Sequence, residues 1–340
     1  RFGDTMVLAT VTVSETVSPL PFFPLTVEYR EKTYAAGKIP GGFIKREGRP
    51  HDAEILSARI IDRSIRPLFP EGFKNEVQVF VYVISADQEN DADVLALVAT
   101  SFALNASKTP FAGTIAGVRV GRVQDKWVLN PTFQQLEYSD MELVVAGSRD
   151  SIVMVEGGAL EVSEEDVVEA LGVAHRGIGE LIDLQEELLA KIERPEKLQW
   201  TKAEPPENLT MRVKELAEGR ITEAINRKDK HTRMQAVAQV KREIAELLMA
   251  EFPDNPKDIH TLVGDVEYER LRSQVLDTGK RVDGRNPDEV RDISIATGLL
   301  PRAHGSSLFT RGQTQALVVA TLGTASDVQR LDSIDDAGET

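Results

Sequence analysis

The stretch Gly3-Asp4-Thr5-Met6-Val7-Leu8-Ala9-Thr10-Val11-Thr12-Val13 aligns without gaps on Gly312-Gln313-Thr314-Gln315-Ala316-Leu317-Val318-Val319-Ala320-Thr321-Leu322, an offset of 312 − 3 = 309 residues. A glycine, two threonines and a leucine coincide. Solenoid arrays repeat every 20–50 residues or so, and a recurrence this distant therefore points to a duplicated domain. Four matches in eleven positions also fit two unrelated buried strands, and both explanations stand on the repeat alone.

A duplication needs length, and 340 residues at 41% hydrophobic content are enough for two or three domains with separate cores. No run of 18 apolar residues occurs, and Arg1-Phe2-Gly3-Asp4-Thr5 is neither an initiator methionine nor an export signal. The expectation is a soluble, cytoplasmic chain whose N-terminus is truncated. With no cysteine, disulfides, thiolate metal sites and cysteine nucleophiles are excluded. A formal net charge of −15 excludes a surface coated in basic residues, so any nucleic-acid contact must be a local basic patch.

Local patterns fill in the organisation. Met6 to Val13 and Glu76 to Ile84 are β-branched and apolar, which predicts largely buried strands. Between them Ile55, Leu56, Ala58, Ile61 and Ile65 recur near helical spacing from Asp52 until Arg66-Pro67 closes the helix. A second helix is predicted over 91–105. A hairpin through Gln124-Asp125-Lys126 follows, then strands at 141–146 and 152–156. Ser163 with Asp166 three residues later has the form of a capping box, opening a helix to about Ile192. Prolines 195, 205 and 206 among charged residues suggest a linker over 194–208. Residues 209–278 are strong helix formers with apolar positions at Val213, Leu216, Ile221, Val237 and Ile244, and strand patterns return from residue 279.

Three long stretches carry a resemblance. They are Phe22-Phe23-Pro24-Leu25 leading to Lys38-Ile39-Pro40-Gly41-Gly42-Phe43-Ile44-Lys45-Arg46-Glu47-Gly48-Arg49-Pro50; then Ile60-Ile61-Asp62-Arg63-Ser64-Ile65-Arg66-Pro67-Leu68-Phe69-Pro70; then Arg281-Val282-Asp283-Gly284-Arg285 with Leu300-Pro301-Arg302-Ala303-His304-Gly305. In this order they resemble the bacterial polynucleotide phosphorylase family over essentially the whole chain. The resemblance implies an α/β (α+β) fold: a first RNase PH-like core over 1–193, a linker over 194–208, an all-helical domain over 209–278 and the start of a second core over 279–340. It also implies a phosphate-dependent 3′-to-5′ exoribonuclease that converts single-stranded RNA to nucleoside diphosphates in mRNA turnover. Magnesium or manganese as cofactor, a homotrimeric ring and an RNA-degradation complex come with it, without a membrane.

The same resemblance places the family's phosphate-binding serine loop on Asp91-Ala92-Asp93, where carboxylates would repel phosphate. Its metal-holding acidic segment falls on 136–144, where Asp140-Met141-Glu142-Leu143-Val144 keeps the frame but leucine stands at one metal position, Glu142 at the other and Val144 where lysine is expected, while a hard divalent ion needs several oxygens. The first core is therefore expected to be catalytically silent, with no metal ligands in this segment and the catalytic residues mostly beyond residue 340. A metal site of another kind at Asp91, Asp93 and Glu142 is the competing explanation. For RNA, Lys45, Arg46 and Arg49 after Phe43 join cations to a stacking ring, as sequence-tolerant single-strand binders do. Arg59, Arg63 and Arg66 share one helical face, where phosphate contact and structural ion pairing to Glu54, Asp62 or Glu71 remain equal alternatives. Arg302, His304 and Arg311 are weaker candidates. An alternative to the enzyme is a non-catalytic scaffold that guides RNA.

Overall fold

In the computed structural model the two β-branched runs become neighbouring strands. The structure describes residues 1–41, 45–202, 204–328, 330–331, 334 and 338–339. Strand β1 (Met6–Val17) pairs antiparallel with β3 (Asn75–Ser85), whose other edge holds β2 (Leu25–Glu31) in parallel. A parallel pair needs a crossover, and helix α1 (Asp52–Ile65) lies in it. α1 opens with a capping interaction, since Glu54 accepts from the His51 N–H at 2.7 Å, and it passes into a single 3₁₀ turn at Arg66–Leu68.

The helix buries Ile60, Ile61 and Ile65 against the sheet, and there Val77, Val79, Val81 and Val83 form the floor. Ile55 and Leu56, expected on the same face, are exposed. The row that faces inward is 54, 58, 61 and 65, and residues 55 and 56 lie one and two positions off it at about 100° per residue. β1 also departs from expectation, because only alternate residues are covered and Met6 and Leu8 are exposed. It stands at the edge of this sheet, while β3 is central.

Helix α2 (Ala92–Ala106) packs on both this sheet and the next, and most of its residues are buried. The second sheet has the order β5–β4–β6–β7, from β4 (Ala116–Val123), β5 (Lys126–Leu129), β6 (Met141–Gly147) and β7 (Ile152–Ala159), with the short helix α3 (Phe133–Leu136) between β5 and β6. All its pairings are antiparallel. The β4–β5 turn has left-handed φ of 51° and 58° at Gln124 and Asp125, as a two-residue I′ hairpin requires. Gly117 lets α2 come close, since a Cβ there would sit 2.5 Å from the Leu97 side chain. On the other face of the sheet, α4 (Glu164–Leu189) buries Ala170, Ala174, Ile178 and Ile182 against Val118, Val120 and Val145. Ser163 caps it by accepting from the Asp166 N–H at 3.1 Å.

The chain divides into one compact unit of Arg1–Lys202 with Asp327–Thr340 and another of Ala203–Ser326. The stretch with linker composition is fastened to the first unit. Lys197 donates to the carbonyls of Leu104, Asn105 and Ser107, Leu198 N–H to Lys108, and Trp200 meets Phe73 edge-on.

In the second unit, α5 (Glu207–Ile225), α6 (Lys230–Glu251) and α7 (Pro256–Thr278) enclose Leu209, Val213, Ile221, Ile244, Leu248, Ile259 and Val263. β8 (Ile293–Thr297), β9 (Gly305–Arg311) and β10 (Thr314–Ala320) follow as an antiparallel meander, with β8 and β10 exposed along their length. The repeated sequences adopt one local structure. Gly3 and Gly312, at φ 56° and 59°, each occupy the first central position of a two-residue turn, between Phe2 and Thr5 and between Arg311 and Thr314. Glycine at that position is what a II′ hairpin selects.

Candidate functional site

The carboxylates expected on the phosphate loop converge on one arginine. Asp91 caps α2 by accepting from the Asp93 N–H, which turns the carboxylates of both residues toward β4. From β4, Arg119 donates through Nη2 to Asp91 and to Asp93 at 2.6 Å each, and through Nη1 to Glu142 on β6. Its side chain is 9% exposed and that of Asp93 5%, whereas Glu142 is half open to solvent. Burial pushes the Asp93 carboxyl up to about 6, with Asp91 adding to the rise and Arg119 opposing it. The arginine is held charged by its three acids despite its burial.

This arrangement disposes the site against metal as well as phosphate. Glu142 faces Arg119, and Asp140 makes a forked pair with Arg122 at 3.0 and 2.6 Å. Arg122 also reaches Asp166 and lies over the Trp127 ring. Leu143 and Val144 are buried, and among the described residues no group of three or more acids or histidines fits a metal ion. A magnesium or manganese ion does not fit these residues, since the carboxylates that would bind it are already paired with guanidinium groups.

Of the expected RNA contacts, Phe43 lies outside the described residues. Lys45, Arg46 and Arg49 are exposed, with Lys45 at φ 55°, and none has an ion pair among the described residues. Between them the chain is tied down. Glu47 accepts from Lys32 Nζ at 2.7 Å and from the Thr33 N–H, and the Gly48 carbonyl accepts from Arg30. Burial would raise the Glu47 carboxyl, but Lys32 and the Thr33 N–H hold it below its ordinary value. The loop is thus anchored at its acid and glycine while its cations point outward.

The three arginines of α1 separate in role. Arg66 grips Asp62 through two bonds of 2.8 and 2.6 Å, donates to the carbonyls of Phe23 and Leu25, and covers the Phe23 ring. Arg63 pairs with Glu156 of β7. Arg59 is exposed, has no partner among the described residues, and borders a groove of about 410 Å³ between β2 and α1. Of the acids expected to neutralise these arginines, only Asp62 does so, because Glu54 is consumed by backbone N–H groups and by Arg30, and Glu71 pairs with Lys202.

In the second unit, His304 Nδ1 accepts from the Leu322 N–H at 2.9 Å. Arg311 is exposed at the hairpin, roughly 20 Å from His304 at a strand's rise per residue. Arg302 is exposed as well. The structure does not assemble these three into a site. Arg119 has no counterpart among the residues that sequence singled out, although an arginine set between Val118 and Val120 in a mostly apolar strand signals a buried charge in need of acids.

The description "3' exoribonuclease family, domain 1" belongs to a family model that matches residues 1–110 and again 289–339, so each glycine hairpin falls in its own matched segment. Domain 2 of that family matches 113–177, and a model described as the RNA binding domain of polyribonucleotide nucleotidyltransferase matches 208–286. A polyribonucleotide nucleotidyltransferase of Gemmatimonas aurantiaca is 78% identical over 339 residues, which is 100% of this chain and 46% of the relative. The chain belongs to the polyribonucleotide nucleotidyltransferase family. Similar proteins of that name from Geobacter sulfurreducens and Salinibacter ruber are 49% and 48% identical, over 99% and 98% of the chain and 48% of each relative. The chain spans about half the length of the curated relatives it matches. No helix among the described residues is long and apolar enough to cross a membrane.

Proposed function

We propose that this chain is the RNA-guiding and assembly portion of a phosphate-dependent 3′-to-5′ exoribonuclease that releases nucleoside diphosphates from single-stranded RNA in the cytoplasm. The domain order expected from sequence, 1–193, 194–208, 209–278 and 279–340, belongs to this proposal, as do the homotrimeric ring and its place in an RNA-degradation complex. The observation that carries the division of labour is Arg119, whose acids occupy the ground on which a phosphate would stand. Chemistry is therefore assigned to the second copy of the core, whose divalent ion, magnesium or manganese, would stabilise charge on phosphate and the leaving ribose oxygen.

What the chain's own residues do is hold the substrate. Lys45, Arg46 and Arg49 take backbone phosphates from a loop fixed at Glu47 and Gly48, and Arg59 adds a cation from α1. A non-catalytic guiding scaffold is the second reading, and the same Arg119 cluster favours it. The two part on one assay: the whole protein, given oligoadenylate, phosphate and a divalent ion, should release ADP, and a scaffold would release none.

The guiding role is tested by replacing Lys45, Arg46 and Arg49 together with alanine. Affinity for long single-stranded RNA should fall and the slope of log K against log salt flatten by about two, at about 0.7 for each phosphate no longer neutralised. Reaction on very short oligonucleotides should persist. An unchanged slope with unchanged affinity would remove the loop from the RNA path.

A further inference from the structure

A hollow of about 210 Å³ lies within the second unit, where the start of α6 meets the Gly312-Gln313 hairpin and the turn around Asp283. Its tie is a hydrogen bond of 3.3 Å from Gln313 Nε2 to Asp229. Both acids that border it are engaged. Asp229 caps α6 by accepting from the N–H and hydroxyl of Thr232, and Asp283 accepts from Arg285. Arg233 spends Nη1 on the carbonyls of Arg227 and Lys228, which fixes the loop that presents the neighbouring lysines.

Three cations are left over. Lys228, Lys230 and Arg291 line the hollow without an ion pair among the described residues. Elsewhere in the unit three half-buried cations are paired, Arg212 with Glu215 and Glu251, Arg220 with Glu243, and Lys241 with Glu267. In a chain of net charge −15, unpaired cations around one concavity mark a place where an anion is favoured.

We propose that this hollow is a phosphate-binding site that holds a backbone phosphate of single-stranded RNA. Size favours a single phosphate group, because pockets that enclose a whole small ligand run to about 300–1,000 Å³. Location favours RNA, since Lys228, Lys230 and Arg233 fall inside the segment matched by the RNA-binding domain model. The inference rests on the function proposed above and adds an RNA-binding point away from the Lys45–Arg49 loop.

The test uses the 340-residue chain with Lys228→Gln, Lys230→Gln and Arg291→Gln combined. Binding of oligoadenylate, ADP and inorganic phosphate is measured across a salt series. With three cations neutralised, the salt slope should flatten by about two, equivalent to roughly a hundredfold weaker RNA binding near 0.1 M salt, while ADP binding stays unchanged. The charge-keeping set Lys228→Arg, Lys230→Arg and Arg291→Lys should retain affinity within about twofold, because the phosphate interaction follows charge. Wild-type RNA affinity and slope in the glutamine variant, beside a weakened Lys45/Arg46/Arg49 variant, would overturn this site alone. Loss of inorganic phosphate or ADP binding with RNA unaffected would overturn RNA as the occupant. A wild-type chain that binds no oligoadenylate would overturn both this site and the guiding function.

Discussion

Replacing Arg119 with methionine keeps most of the side-chain volume and removes the cation that faces Asp91, Asp93 and Glu142. Breaking a buried pair by deleting one partner costs about 3–5 kcal/mol, because the charge left behind stays desolvated. A unit of this size shifts by about 2–4 °C per kcal/mol, so melting should fall by roughly 6–20 °C. The loss should depend on pH. In the folded chain the Asp93 carboxyl is pushed up to about 6, against an ordinary value of 3.8. A raised carboxyl favours the folded state fully below the ordinary value, and that contribution is lost as pH rises through 6. Without Arg119 the carboxyl rises further, so the variant should lose more stability near pH 8 than near pH 5. Both tryptophans, Trp127 and Trp200, lie in the first unit, so fluorescence during urea unfolding reads this unit apart from the other. Adding Asp93→Leu should restore part of the loss. A change under about 0.5 kcal/mol at both pH values would refute the view that this cluster ties α2 to β4 and β6.

Asp87 accepts from the Asp4 and Asn90 N–H groups and from the Thr5 hydroxyl, and although burial acts to raise its carboxyl these bonds hold it far below the carboxylate range. Its contribution is present above about pH 4 and lost as pH falls further; Asp87→Asn should cost about 1–3 kcal/mol near neutrality and blunt the acid limb in a pH series of melts. Arg66→Ala should destabilise by roughly 1–2 kcal/mol through its lost forked pair, and Arg59→Ala by less than about 0.5 kcal/mol while weakening RNA binding. Equal melting losses for the two would mean that their different surroundings carry no energetic weight.

Most elements were legible in the sequence because their signals are local. β-branched runs marked β1 and β3, Asp91 and Ser163 marked helix starts, and Arg66-Pro67 marked the end of α1. Pairing partners are not local. β1 resembles β3 in composition, yet it stands at a sheet edge and leaves Met6 and Leu8 exposed. The Pro-rich stretch looked unattached because the carbonyls that receive Lys197 end a helix about 90 residues earlier. The site divided in the same way. Outward cations at Lys45, Arg46 and Arg49 follow from a charged loop, but the fate of Asp91 and Asp93 depended on β4 carrying Arg119 to them.

Helix α2 packs on β1 and β3 of one sheet and on β4 of the other, where Leu97 meets Gly117, so each sheet uses it as its cover. Neither layer can come away while leaving the other intact, because the departing layer would strip the shared helix or carry it off. Opening that reaches the middle of α2 should therefore be opening of the whole first unit, and the amide hydrogens there should be protected up to the free energy of its global unfolding.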